Sequence, residues 1–467
     1  MNNDILQKHL DTIIESSSKV RKFIDGVVDA GSFVETDVFM SGATFLDGVE
    51  AKGEGVVTGY ATLNGSPVQL FAQNTEVLKG SLSVAQAQKI VKTINKAIKT
   101  GTPLLSLIDS CGARIGEGVS VLEGYGAVLA AAVELANQVT HICVINGVCV
   151  GMMATFAAMA DFVFMNKESV LSLNSPMVIA STQKDYPKFN DILGYKSYSA
   201  NSNMAQFEFK DAKDLKAKIT DLFSIINVSE EESSDDPNRE APSLDKAISL
   251  DGVLNAICDD TKFIEYSANY AKDIKCGFAK INNISVAVLA NNSTENEGFT
   301  SLEGLNKATD FVEVANAMSL PIVSLVDSKG VKSCLSCEIK GIAKASAKLV
   351  GAIASADVSK IAVCIGKAIG SAYTMFMSKA IGFDYTLACV NAEISPINSD
   401  TAVNIVYTEE LKKAKDSVKA RAELSKKYAE LQANAFISAK DGYIDNIVNA
   451  SALRPYIASA LLMLMGI

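Results

Sequence analysis

The stretch INGVCVGMMATFAAMA, Ile145 to Ala160, carries no charge, and reading back to Ile142 gives 19 uncharged residues before Asp161. A membrane-spanning helix needs about 17–25 apolar residues, so length alone permits one here. The same stretch holds two glycines and opens on an Asn-Gly pair, which suits a strand that turns into a helix. Choosing between these two readings decides the fold.

The rest of the chain makes that choice. PLLSLIDS (Pro103 to Ser110) and PIVSLVDS (Pro321 to Ser328) stand 218 residues apart, and so do LFAQN (Leu70 to Asn74) and VLANN (Val288 to Asn292). Between each pair runs a segment with apolar residues every three to four positions, SVAQAQKIVKTINKAIKTG in one half and SLEGLNKATDFVEVANAMSL in the other, which predicts a helix. GVCVGMMA (Gly147 to Ala154) matches GKAIGSAY (Gly366 to Tyr373) at a spacing of 219. DFVFMNKESVLSLNS and DYTLACVNAEISPIN follow at 223. Four matches at a slowly growing spacing predict two copies of one α/β domain that alternates strand and helix.

The duplicate of the opening stretch contains Lys367. A lysine at the centre of a spanning helix costs about 2.5–3.5 kcal/mol. Both copies therefore read as strand, turn and helix: HICVI, NGVCVG and MMATFAAMA in the first, KIAVCI, GKAIG and SAYTMFMSK in the second. The acidic SEEESSDDPNREAP, Ser229 to Pro242, reads as a linker and places the domains at 1–235 and 236–467.

Of the 467 residues, 48% are apolar and 21% charged, which suits a soluble globular protein of two or three domains. The net charge of −10 and a pI near 5.0 argue against nucleic-acid binding through phosphates. The first residues, MNNDILQKHLDTIIESSSKVRKF, mix charged and apolar positions and lack a signal-peptide core. With nine scattered cysteines, this predicts a cytoplasmic protein with reduced thiols. Only His9 and His141 are present, which excludes chemistry built on several histidine ligands and predicts no metal site. Cys334 and Cys337 form a lone C-x-x-C, read as two ordinary thiols. The tail IASALLMLMGI is too short to span a bilayer and predicts a final packed helix, and RAELSKKYAELQANAF an exposed, charge-paired one.

A strand that ends in G-x-x-x-G and opens a helix has a chemical use. The second glycine admits a ligand close to the backbone, and the next N–H groups are the helix's unpaired first donors. They point at negative charge and can form an oxyanion hole. Here the candidate donors are Gly151 and Met152, and Ser371 and Ala372. The same pattern also serves close packing of backbones.

FAQNTEVLKGSLSVAQAQKI, DSCGARIGEGV, LEGYGAV and INGVCVGMMATFAAMADFVFM resemble the carboxyltransferase subunits of biotin-dependent acyl-CoA carboxylases and decarboxylases. VRKFIDGVVDAGSFVETD, GKAIGSAYTMFMSKAIGFDYTLACVNAEIS and AFISAKDGYIDNIVNASALRPYI extend the resemblance over nearly the whole chain. It implies two tandem crotonase-like domains, each a superhelix of strand-strand-helix units, in a homodimer or hexamer with the active site between subunits. It implies that a carboxyl group moves between biotin nitrogen and the α-carbon of a small acyl-CoA. Acyl-CoA, which brings coenzyme A as part of the substrate, would lie on the first domain and biotin on the second. The leaving ureido nitrogen can take the α-proton, so no protein base is required. Gly151 and Met152 would bind the thioester oxygen, and Ser371 and Ala372 the biotin carbonyl. Gly112, Ala113 and Arg114 would line the CoA side, with Arg114 touching phosphate, holding the loop, or simply paired with Glu117 or Asp109. Gly370 and Thr374 join the substrate-binding set, and Thr374 stands where several relatives carry Asp.

The chain departs from that family at Met152 and Cys111, where glycines are usual, and at SKGVKSCLSC, Ser328 to Cys337. No A-M-K-M biotinylation signal or ATP-grasp-sized region is visible, so a separate biotin carboxyl carrier protein is implied, with biotin carboxylase or membrane decarboxylase subunits as further partners. Direct membrane insertion is not expected. The direction of transfer and the acyl group stay open. Two other readings remain: a crotonase-type hydratase or hydrolase using Glu117 or Glu123, and an inactive scaffold.

Overall fold

A computed structural model describes residues 2–42, 51–136, 138–182, 189–226, 233–414 and 416–466. The chain divides into two compact units, Met1–Asp221 and Leu222–Ile467. The division precedes the acidic stretch at which the sequence places it. The described part of that stretch is no free linker. Asp235 pairs with Arg239 at 2.8 Å, and the Ala241 N–H donates to the Ser451 carbonyl at 2.9 Å, so it lies on the second unit. Residues 227–232 are outside the described set.

The first unit is built on strands β1 (Val34–Thr36), β2 (Val56–Leu63), β3 (Ser66–Gln73), β4 (Leu104–Ser110), β5 (His141–Val150), β6 (Phe162–Asn166), β7 (Val170–Ser172) and β8 (Phe207–Phe209). The second uses β9 (Phe263–Tyr266), β10 (Ile274–Ile281), β11 (Ile284–Asn291), β12 (Ile322–Ser328), β13 (Lys360–Ile369), β14 (Tyr385–Cys389), β15 (Glu393–Ser395) and β16 (Asn446–Val448). The first sheet runs β1-β2-β3-β4-β5-β6-β8 with β7 on β5, and the second β9-β10-β11-β12-β13-β14-β16 with β15 on β13. Strand for strand the order is the same, so the duplication read from four short matches extends to the whole topology. The first three strands of each unit pair antiparallel and the others parallel. The parallel strands are buried on both faces, which explains their continuous apolar runs.

The predicted helices form as Val84–Thr100 and Leu302–Ala317. Each begins behind a serine whose hydroxyl accepts an early N–H, Ser83 from Gln86 and Ser301 from Gly304. Both bury their apolar stripe on the sheet, and each also buries one lysine completely, Lys89 and Lys307, 218 residues apart. The Lys89 Nζ donates to the carbonyls of Gly53 and Val56, and that of Lys307 to those of Ser267, Tyr270 and Ile274, all within 3.1 Å. These cages hold the start of β2 and β10 to the helix behind.

Ile142 to Ala160 is strand and helix, and no helix among the described residues is long and apolar enough to cross a membrane. The expected turn at Asn146-Gly147 does not occur. β5 runs through it as one strand with a register shift, pairing first with β6 and then with β7. β13 does the same against β14 and β15. The tail forms the helix Leu453–Met465, which buries Ile457 and Leu461 in the second core. The charge-rich helix is Ser417–Gln432, mostly exposed.

Candidate active site

The geometry of each site starts at one aspartate. Asp109, next to last in β4, turns its Oδ1 to accept the Val148 N–H at 2.9 Å. Asp327, its counterpart in β12, accepts the Lys367 N–H at 2.8 Å. Each carboxylate therefore lies flat against the residue before its donor, and those residues are Gly147 and Gly366. A Cβ at either would land inside the carboxylate. This clamp produces the register shift and re-aims the end of the strand. Burial raises the Asp109 pKa against the lowering effect of the Val148 N–H. Gly147→Ala is expected to lower the unfolding free energy by about 1–3 kcal/mol through overpacking, and much less in an Asp109→Ala background; thermal unfolding of the three variants checks it.

The re-aimed strands end at Gly151 and Gly370, with φ/ψ of 70/−149° and 53/−115°, conformations open to glycine alone. Helices Met152–Ala158 and Ser371–Met377 start at once behind them. The Gly151 N–H is already used: it donates to the Ser172 carbonyl at 3.2 Å, continuing the β5–β7 ladder. The Gly370 N–H likewise donates to Ser395 at 2.8 Å. Of the donors read from sequence as Gly151 and Met152, the first therefore already has an internal acceptor. Among the described residues, the N–H groups of Met152 and Met153, and of Ser371 and Ala372, have no recorded acceptor. They are equivalent pairs in the two units, each the first two donors of a helix.

Beside the first turn lies the loop after β4. The Gly112 carbonyl accepts from Leu82 N–H at 2.9 Å, and the Arg114 N–H donates to the Leu82 carbonyl at 2.8 Å, making a single parallel bridge at Ala113. Arg114 is 11% exposed and reaches Glu54 at 2.7 Å and Glu117 at 3.6 Å. The pairing with Glu117 is among the contacts expected for it, and both ion pairs anchor the side chain within the protein. Its main partner, Glu54, lies 60 residues back and was not among the candidates, while Asp109 is occupied at Val148. Glu117 also accepts the Val84 N–H at 2.7 Å, so both its oxygens are engaged in structure.

The loop in the second unit differs in sequence yet keeps the frame. Gly330 accepts from Thr300 and Lys332 donates back to Thr300, both at 2.9 Å, with the bridge at Val331. Ser371 fastens it, its Oγ accepting the Val331 N–H at 3.0 Å. Beyond Lys332 the loop departs. Cys334 caps the short helix Leu335–Ile339, Cys337 lies in its first turn, and the two are joined as a disulfide with Cα atoms 5.2 Å apart. The reading of this pair as separate thiols is corrected by that adjacency at a helix start. Ser371 and Thr374 are both exposed, one turn apart on one helix face.

His141 takes no part. It is buried with Nε2 2.8 Å from Ser106 Oγ, and burial holds its pKa down to about 3.

The model of the carboxyl transferase domain matches residues 15–466. The chain belongs to that family. The carboxyltransferase is 32% identical over 465 residues to the methylmalonyl-CoA carboxyltransferase 12S subunit of Propionibacterium freudenreichii subsp. shermanii, covering 96% of this chain and 89% of that one. It is also 32% identical over 462 residues to the propionyl-CoA carboxylase carboxyltransferase subunit of Haloferax mediterranei, covering 95% and 90%. Among solved structures it is similar to the transcarboxylase 12S crystal structure, described as a hexamer assembly with hydrolysed methylmalonyl-CoA bound. The TM-score is 0.92 at 28% identity, over 99% of this chain and 95% of that one. The resemblance read from the motifs is correct, and the fold of the carboxyltransferase is two tandem crotonase-like domains.

Sequence reasoning missed the Asp109 and Asp327 clamps, Glu54, and the caged lysines. The signal for the clamps and the lysines was present: Asp109, its Gly147 and Lys89 all recur at the repeat spacing. Glu54 had no such signal, because the second unit has Lys332 in place of Arg114, and that lysine bonds Asn296 at 2.8 Å.

Proposed function

We propose that this carboxyltransferase moves a carboxyl group between biotin, held on a separate carrier protein, and the α-carbon of a small acyl-CoA. One observation carries the proposal: the acceptor-less amide pairs, Met152 with Met153 and Ser371 with Ala372, at equivalent helix starts in the two units. The reaction places negative charge on two oxygens, that of the thioester enolate and that of the ureido carbonyl. Two preorganised donor pairs match two such oxygens. The first pair lies beside the Gly112–Arg114 loop and receives the thioester; the second lies beside the Ser328–Lys332 loop and receives biotin. Bound biotin would supply the nitrogen that carries the carboxyl group and accepts the α-proton. The protein binds, orients and offers hydrogen bonds, which is why it needs no histidine.

The names of its relatives support this substrate class. The hexamer described for the 12S structure supports assembly with copies of itself, and the exposed Ile115, Val119 and Leu122 supply apolar surface for it. A hydratase or hydrolase would need a carboxylate at the turn. Glu117 is held by Arg114 and Val84, and Glu123 lines an outer groove with Lys92, which disfavours that reading.

Purified protein given methylmalonyl-CoA is expected to release its carboxyl group only when free biotin is added, as followed by high-performance chromatography of the CoA product. Turnover without biotin would instead mark a crotonase-type enzyme. Absence of turnover with methylmalonyl-, malonyl-, propionyl- and acetyl-CoA would mark a scaffold.

A further inference from the structure

Tyr125 stands apart from every other polar group near the first turn. It lies on the helix Ser120–Leu135 and is 4% exposed, among apolar neighbours that include Met153 and Cys149. Its hydroxyl has no hydrogen-bond partner among the described residues. A buried hydroxyl left unpaired bears its full desolvation cost, which phenylalanine would avoid at the same shape. The hydroxyl is therefore retained for a partner that comes from outside the chain.

Its position says where that partner sits. A Cβ built on Gly151 would meet one atom within 4 Å, the Tyr125 oxygen at 3.7 Å. Apart from the chain neighbours of Gly151, the phenol oxygen is the atom nearest its side-chain position, so the buried hydroxyl sits at the turn. Cys111, just before the Gly112–Arg114 loop, and Cys149 in β5 both act on its ionisation. Burial, reinforced by those two thiols, holds the phenol protonated well above neutral pH, so it acts as a donor and not a base. The corresponding helix of the second unit, IAKASAKLVGAIAS, contains no tyrosine. The extra donor belongs to the acyl side alone.

We propose that the Tyr125 hydroxyl is a catalytic residue that donates a hydrogen bond to the thioester oxygen of the bound acyl-CoA, as a third donor beside the Met152 and Met153 amides. The inference rests on the functional reading above and deepens it. A donor to this oxygen gains strength as the carbonyl becomes an enolate, so it contributes more to the rate than to binding.

Two measurements on full-length protein test it. With methylmalonyl-CoA and free biotin, Tyr125→Phe is expected to lower kcat at least about tenfold, with the smaller share of the loss in KM, and to melt no lower than wild type because no internal bond is lost. Without turnover, wild type is expected to bind propionyl-CoA more tightly than S-propyl-CoA, the thioether that lacks the oxygen. Tyr125→Phe should lose that preference while binding S-propyl-CoA as before. The inference is overturned by unchanged kcat, by a loss confined to KM, by a lower melting temperature with normal kcat, or by equal preference in the two proteins. Failure of wild type to show biotin-dependent turnover would count against the functional reading alone, since the binding comparison still reports on Tyr125.

Discussion

Lys307→Met is expected to lower the unfolding free energy of the carboxyltransferase by about 3–5 kcal/mol, the range for breaking one side of a buried charged contact. Lys307 is fully buried, and its ammonium is bonded to three main-chain carbonyls at 2.8–3.0 Å. Methionine fills a similar volume and offers no donor. Three acceptors would then lie unpaired in a dry site, at about 1–3 kcal/mol each before relaxation. Relief from burying a charge offsets part of this. Urea denaturation gives the value, and a change under about 1 kcal/mol would mean that the cage is solvated or rearranges. Lys89→Met should cost less, because that ammonium has two carbonyls.

The Lys89 cage adds a pH signature. Burial, opposed by Glu35, Asp37 and Glu54, holds its pKa down to about 8 from 10.5. Between those values the unfolded chain binds more protons than the folded one, so stability attributable to Lys89 rises with pH. The margin of wild type over Lys89→Met is expected to widen from about pH 8 to 10.5 and to stay flat below.

The second large effect is on rate. Met152→Pro deletes one donor of the first amide pair and is expected to lower kcat about 10²–10³-fold, the usual cost of losing one oxyanion-hole contact. Proline suits the first position of a helix, where the N–H has no internal acceptor in any case. Gly151 before it has ψ −149°, close to extended, so the restriction on the residue preceding proline is met. Met152→Ala keeps the N–H and shortens a half-buried side chain, and it should retain most activity. A proline variant that melts like wild type and turns over within about threefold of it would remove Met152 from the donor set.

The repeat spacing near 218 residues, the alternation of strand and helix and the G-x-x-x-G ends were enough to predict two α/β copies and the turns worth inspecting. Periodicity and self-similarity are local properties of a chain, and they survive without coordinates. Which amides remain free is another matter. It depends on the β5–β7 register, which consumes the Gly151 N–H at Ser172 and leaves Met152 and Met153. The role of Arg114 hinged on Glu54, the clamp on an aspartate meeting a strand 38 residues away at Gly147, and the idle phenol of Tyr125 on a helix crossing beneath the turn. Residue type says that such groups can donate or accept. Only long-range pairing says which of them are already satisfied and which are left without a partner, and a reaction can draw only on the latter.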